Sequence, residues 1–201
     1  QLAGRLAGSG LEELRQGRRQ NMAVLFIDIR GFTRWSQGRD PVRIGRYITN
    51  FRSRIQACSD VNGGMIDKFI GDAAMVLFEG EDAAKHAVKC AGDLMDSMAE
   101  WSSERTAEGR ELVAVGIGLH WGEVFSGVVG DPQRLEYTVF GDTVNIAARL
   151  EQLTKQEGQT IIASADVLRA ASVAPASQGW SVLPAAELRG RSGGIDIFGR
   201  C

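Results

Sequence analysis

One octapeptide constrains the fold more than any other stretch. Met22 to Ile29, MAVLFIDI, holds seven apolar residues and a single aspartate. It is too short, and too closely flanked by polar residues, for a long helix, and it reads as a buried central strand. Asp28 cannot sit in such a strand charged and alone, because an unpaired buried carboxylate costs on the order of several kcal/mol. The strand stops at Arg30-Gly31. Glycine is abundant, 25 in 201 residues, with only four prolines and no fixed period, so backbone freedom is wanted at particular points.

The next elements follow from periodicity. Asp40-Pro41 supplies an N-cap and a proline at the first helical position, and Ile44, Tyr47, Ile48, Phe51 and Ile55 recur at spacings of three and four. Asn62-Gly63-Gly64 ends that helix. MIDKF and AAMVLF then flank Ile70-Gly71-Asp72 as a hairpin, with Asp72 at its turn. Asp82 caps a second helix with Ala84, Ala87, Val88, Ala91, Leu94, Met95 and Met98 on one face. Val113, Val115, Ile117 and Leu119 alternate with Ala114, Gly116, Gly118 and His120, a strand whose small-residue face invites a close neighbour. Trp121-Gly122-Glu123 reads as a turn into a further strand, VFSGVVG. After EYTVFG comes a third helix, DTVNIAARLEQLTK, with Val144, Ala147, Ala148 and Leu150 as its apolar face. TIIA, a short helix at SADVLRA, GWSVLP and ELRGRSGGIDIF close the sheet.

This order predicts an α+β fold with a ferredoxin-like split βαβ core, a largely antiparallel sheet and helices mainly on one face. Residues 1–21 read as a linker or short helix from an upstream regulatory region, and 22–201 as one domain. With 44% apolar and 24% charged residues the chain can bury a core unaided. No run approaches the roughly 18 apolar residues of a membrane span, and a net charge of −2 offers no basic field for nucleic acid. Cys58, Cys90 and Cys201 form no CxxC pair, which argues against a disulfide framework and suits a reducing, cytoplasmic compartment.

Three features carry chemistry. In a βαββ unit the end of the first strand and the turn of the central hairpin lie side by side, which brings Asp28 to Asp72. Adjacent carboxylates raise each other's pKa unless a hard divalent cation sits between them. Ile29-Arg30-Gly31-Phe32-Thr33 places a glycine at a strand exit, where backbone N–H groups can face phosphate oxygens. Asn145 and Arg149, four residues apart, share a helical face distinct from the apolar one and suit a ribose and a phosphate. Singly, each has a plainer reading: a turn cap, a turn residue, a solvated arginine.

Together, FIDIRGFT, KFIGDAAM, GIGLHWGEVFSGVVG, RLEYTVFGDTVNIAARLE and ELRGRSGG, in this order, closely resemble the catalytic domain of the class III adenylate and guanylate cyclases, over roughly Asn21 to Phe198. The resemblance implies intramolecular attack of a ribose 3′-hydroxyl on the α-phosphorus with loss of pyrophosphate. It implies two Mg²⁺ or Mn²⁺ ions per active site, on Asp28, Asp72 and the Ile29 carbonyl, with Arg30, Gly31, Phe32 and Thr33 around the phosphates. VNIAAR supplies Asn145 to orient the ribose and Arg149 to stabilise the transition state. Base choice falls to Lys68 and Thr138, which follow the adenylate pattern, whereas guanylate cyclases typically have glutamate and cysteine there. A lysine donates to adenine N1 and a threonine accepts from the exocyclic amine, while guanine offers a donor at N1 and an acceptor at O6. Where many relatives carry a triphosphate-binding lysine, this chain has Arg189 and Arg191. Thr138 also resembles the subgroup that includes bicarbonate-responsive cyclases. The implied partners are ATP, an upstream sensor and a second copy in a head-to-tail homodimer, in which one protomer gives Asp28 and Asp72 and the other Lys68, Thr138, Asn145 and Arg149. The alternatives are a guanylate cyclase, opposed by Lys68 and Thr138, and a catalytically silent dimerisation or regulatory module, opposed by the intact motif residues.

Overall fold

The computed structural model describes residues 16–131, 134–177, 179–187 and 193–201. Along the chain come β1 (Arg18–Ile29), α1 (Phe32–Ser36), α2 (Pro41–Val61), β2 (Met65–Ile70), β3 (Ala73–Phe78), α3 (Ala83–Ala107), β4 (Val115–Asp131), β5 (Arg134–Phe140), α4 (Asp142–Gln156), β6 (Ile161–Ser164), α5 (Ala165–Ala170), β7 (Ser181–Ala186) and β8 (Ile195–Arg200). The strands form one sheet in the order β2-β3-β1-β4-β6-β8-β7, with β5 pairing β4 off that path. Every pairing is antiparallel except β4 with β6.

β1 is central because both of its faces are buried. Ala23, Leu25, Ile27 and Ile29 pack with α2 and α3, while Met22 and Val24 turn to the opposite face. Asp28 shares the parity of the second set. The strand begins at Arg18, four residues before the apolar run (18 against 22), because pairing outlasts hydrophobicity: Arg18 to Asn21 pair with Ser126 to Glu123. Arg19 bonds Glu123 at 2.9 Å, and Gln20 Nε2 donates to Ser126 Oγ at 3.0 Å.

The turn expected at Trp121-Gly122-Glu123 is absent, and β4 runs unbroken for 17 residues. Gly122 lies in the ladder opposite Met22. Its role is clearance, since a Cβ there would stand 2.7 Å from Thr143 Oγ1. α1 is the other departure. It forms in the stretch between the first strand and the Asp40 cap, where Gly31 adopts φ 71 as N-cap and the Trp35 ring packs tilted on Tyr47 at 4.2 Å between centroids.

α2 starts as its sequence dictates, with Asp40 accepting from Val42 N–H at 3.1 Å. Asp82 precedes α3 without capping it and pairs with Lys85 at 2.6 Å. α2, α3 and α5 cover one face of the sheet and α4 the other. The buried stripe of α4 is Ile146, Ala147 and Leu150 with Thr143 and Thr154, so Val144 and Ala148 stand at its half-buried edge. Glycine sets that placement: a Cβ on Gly118 would lie 2.2 Å from Glu151 N and 2.3 Å from Ala147 O, so helix backbone rests directly on strand backbone. Among the described residues no helix is long and apolar enough to cross a membrane.

Two glycines make opposite predictions. Gly118→Ala is expected to destabilise by about 1–3 kcal/mol or more, because backbone cannot yield as a side chain can. Gly45→Ala, inside α2 with nothing within 4 Å of the added methyl, is expected to stabilise by about 0.5–1 kcal/mol. Urea unfolding of both variants checks the signs.

Candidate active site

The site begins where β1 ends. Asp28 lies between Ala73 of β3 and Gly116 of β4. The β2–β3 turn places Gly71 at φ 62, a left-handed conformation that glycine adopts without penalty. Asp72 follows, and its carbonyl accepts from Ile29 N–H at 3.3 Å. That bond ties the hairpin turn to the strand exit and brings the two carboxyl groups within hydrogen-bonding reach of each other. Asp28 is pushed up to about 6, first by burial and then by the Asp72 charge, with the Ile29 N–H pulling the other way. Carboxyl groups this close need a shared proton or a cation.

A divalent ion fits here for that reason. Among the described residues no group of three His, Cys, Asp or Glu side chains forms a complete ligand set. Two carboxylates would therefore be completed by carbonyl, water and substrate oxygens, the coordination Mg²⁺ favours when it acts on phosphates.

Glu151 belongs to this neighbourhood and was not among the residues marked in the sequence. Its Oε1 lies 2.6 Å from where a Cβ on Gly116 would stand, and Gly116 is the β4 partner of Asp28. Burial, then the charge of Asp28, lifts Glu151 to about 7, while Arg30 opposes the shift. A glutamate two residues beyond Arg149 reads as solvated, and the facing glycine signals only a close approach. Arg30 N–H donates to the Ala114 carbonyl at 2.9 Å, and its guanidinium donates to the Gln159 carbonyl. The arginine side chain is thereby committed to the connection after α4. Gly31 caps α1, whose first-turn amides at Phe32 and Thr33 have no helical acceptors.

A second group assembles on other strands. The β2–β3 register shifts between Ile66 and Lys68, leaving Asp67 as the extra residue of a bulge. The Asp67 side chain is fully buried and sits 3.3 Å from Lys68 Nζ. Lys68 Nζ also donates to Thr138 Oγ1 at 3.1 Å. Residues far apart in sequence, on β2 and β5, thus meet, with a buried carboxylate holding the ammonium.

Asn145 is exposed and Arg149 half-buried, one turn apart on α4. At about 100° per residue they lie about 120° and about 160° around the axis from Glu151. The flank that faces Asp28 and Asp72 therefore belongs to Glu151. Arg189 and Arg191 lie outside the described residues. His120 is buried with Nδ1 2.7 Å from Ser164 Oγ, and burial pushes the Cys90 thiol up to about 12; both serve packing.

A family model described as the adenylate and guanylate cyclase catalytic domain matches residues 14–191. An adenylate cyclase of Anabaena cylindrica is 35% identical over 198 residues, covering 96% of this chain and 39% of its own length. Adenylate cyclase 1 of Rhizobium meliloti is 30% identical over 184 residues, 90% of this chain and 27% of its own. The chain thus spans well under half of either relative. Among solved structures, a guanylyl cyclase superposes with a TM-score of 0.78 at 29% identity, covering 91% of this chain and 92% of that one. The adenylyl cyclase CyaB from P. aeruginosa superposes with 0.80 at 25% identity, covering 91% and 94%.

The raised carboxyls fix a pH dependence. Asp28 rises from 3.8 to about 6 and Glu151 from 4.5 to about 7, so without metal the folded chain holds more protons than the unfolded one between those values. Metal-free stability is therefore expected to fall as pH rises from about 4 to about 7. Asp28→Asn is expected to flatten that slope and raise the metal-free melting temperature at about pH 8. Millimolar Mg²⁺ is expected to raise the wild-type melting temperature at that pH more than the variant's. Melting curves across pH, with and without Mg²⁺, measure all three.

Proposed function

Because the chain belongs to the adenylate and guanylate cyclase catalytic domain family, we propose that it converts ATP to 3′,5′-cyclic AMP and pyrophosphate. The carrying observation is the 3.1 Å bond from Lys68 to Thr138 beside the buried Asp67. An ammonium is a donor only, so this pair can give a hydrogen bond to adenine N1 and accept one from the 6-amino group. Guanine would set its own N1–H against the ammonium. Discrimination by an unmatched buried donor is strong compared with discrimination by shape.

The remaining roles follow from side-chain chemistry. Asp28, Asp72 and the Ile29 carbonyl would hold two Mg²⁺ or Mn²⁺ ions, which supply Lewis acidity for the 3′-hydroxyl and neutralise the triphosphate. Phe32 and Thr33 offer backbone N–H groups to phosphate oxygens, Gly31 gives the chain its turn, and Arg189 adds charge at the triphosphate. Asn145 orients the ribose. The Arg149 guanidinium stabilises charge that builds on the α-phosphoryl oxygens as the 3′-oxygen bond forms and the bond to the pyrophosphate oxygen breaks.

One chain is not enough in this reading. Glu151 occupies the α4 flank nearest Asp28, and Asn145 with Arg149 turn elsewhere, which supports a homodimer whose sites draw the aspartates from one protomer and Asn145, Arg149, Lys68 and Thr138 from its partner. ATP supply and free thiols fit a cytoplasmic location, downstream of a sensor in a longer protein.

Purified protein with ATP or GTP and Mg²⁺ or Mn²⁺, analysed by mass spectrometry, is expected to yield cyclic AMP from ATP. No product with either metal at dimerising concentrations would sink the reading. Arg149→Ala is expected to lower kcat by about 10²- to 10³-fold. Mixing it with Asp28→Ala protein is expected to restore part of the activity through heterodimers with one intact site; no recovery despite subunit exchange removes the shared site. Lys68→Glu with Thr138→Cys is expected to shift preference to GTP, and an unchanged ATP-to-GTP ratio removes both from base reading.

A further inference from the structure

The bulge in β2 decides which face of the sheet receives Lys68. In unbroken pairing, Ile66 opposite Val76 would set Lys68 opposite Ala74, whose side chain belongs to the core under α2 and α3. The partner of Lys68 is instead Met75, which belongs to the cluster on the other face. One extra residue makes that difference, and it is Asp67. The bulge turns Lys68 across the sheet, while Phe69, opposite Ala74, packs on the α2–α3 core.

The bulged residue also meets the side chain it re-aims. The Asp67 side chain is fully buried, and its Oδ2 stands 3.3 Å from Lys68 Nζ. Neighbours on a regular strand point to opposite faces, so the irregular backbone is what allows this pair to form. From the other side, Lys68 Nζ donates to Thr138 Oγ1 of β5 at 3.1 Å. The ammonium is thus held between a carboxylate of its own strand and a hydroxyl of another. Stability alone does not account for the arrangement, because burying a carboxylate is costly and a buried ion pair is often no more stable than apolar side chains of the same volume.

We propose that Asp67 is a specificity-determining residue that acts through Lys68, fixing the ammonium before the base enters so that it discriminates adenine from guanine. The proposal rests on the assignment of Lys68 to base reading. A lysine ends a flexible four-carbon stem, and a donor that the ligand itself must order loses part of its bond to side-chain entropy. A donor held in advance keeps that part. It also cannot swing aside from the N1–H of guanine, so the mismatch is felt in full.

The probe is 1-deaza-ATP, which carries a C–H where adenine has N1 and cannot accept the bond from lysine. Wild-type protein is expected to prefer ATP over it by about 10- to 100-fold in kcat/KM, the range of a hydrogen bond to a charged group. Asp67→Asn is expected to cut that preference at least about fivefold, through KM more than kcat. In a Lys68→Ala background the same substitution is expected to change the preference less than about twofold, because nothing remains for Asp67 to hold. Should Asp67→Asn melt too low to assay, Asp67→Ser, smaller and uncharged, serves the same comparisons. Carbon–proton spectra of the four lysine ε-methylene groups read the positioning without nucleotide. Lys68→Arg identifies the Lys68 signal, whose two ε protons are expected to resonate apart in the wild type and to merge in Asp67→Asn. An unchanged preference in Asp67→Asn, an equal loss in the Lys68→Ala background, or a Lys68 signal already averaged in the wild type overturns the proposal. The base reading fails by different results: wild-type protein that takes ATP and 1-deaza-ATP alike, or Lys68→Ala protein that keeps the wild-type preference, removes Lys68 from the base and Asp67 with it. A chain that cyclises neither nucleotide fails the function on which both depend.

Discussion

The hydrogen bond from Ile29 N–H to the Asp72 carbonyl is the joint on which the site depends. It fastens the turn of one hairpin to the exit of the central strand, and so holds Asp72 close enough that its charge, added to burial, raises the Asp28 carboxyl. The surroundings serve that arrangement. β1 is buried on both faces, which fixes its register, and Gly71 and Gly31 turn the chain immediately after each partner. Gly116 leaves room for Glu151 to approach the same charges. Burial and the neighbouring charges raise Asp28 and Glu151 together, and that penalty marks the place where a cation would contribute.

Much of this was legible in the amino-acid order. An aspartate inside MAVLFIDI had to find a partner, and Asp72, at the turn of the hairpin that a βαββ unit brings beside the first strand, was the natural one. The Asp40 cap of α2 and the small-residue face of β4 were equally plain, because each is a local rule, whereas Asp82 turned to Lys85 and left α3 uncapped. What sequence reasoning missed has physical causes. Gly122 looked like a turn because glycine signals flexibility and clearance with the same letter. β1 was read four residues short, since its first residues are held by cross-strand polar pairs and carry no apolar signature. Glu151 and Asp67 escaped notice because an acidic residue on a helix or strand looks solvated until tertiary structure closes over it. The meeting of Lys68 with Thr138 spans strands that are not neighbours in the chain, and the resemblance to the cyclases, not spacing, paired them.

The sheet separates two kinds of chemistry. Its α4 face gathers carboxylates, which attract cations; its α2–α3 face gathers arginines on aromatic rings, Arg39 over Trp35 and Arg105 over Tyr47. α1 is the element common to both, capped by Gly31 beside the aspartates and carrying Trp35 onto Tyr47 on the opposite face.

The contact of α4 with Gly116 and Gly118 has a mechanical consequence. Helices normally rest on sheets through a layer of side chains whose rotamers let them slide or roll by small amounts. Here backbone bears on backbone at Gly118 and no such cushion exists, so α4 is seated as a fixed part of β4. Asn145 and Arg149 must then travel with the strand, and Thr138, hydrogen-bonded to the same strand through β5, travels too. In the proposed homodimer, opening and closing of the site would then fall to the tilt of one whole subunit against the other rather than to bending within a protomer, with α4 carried along as part of the moving body.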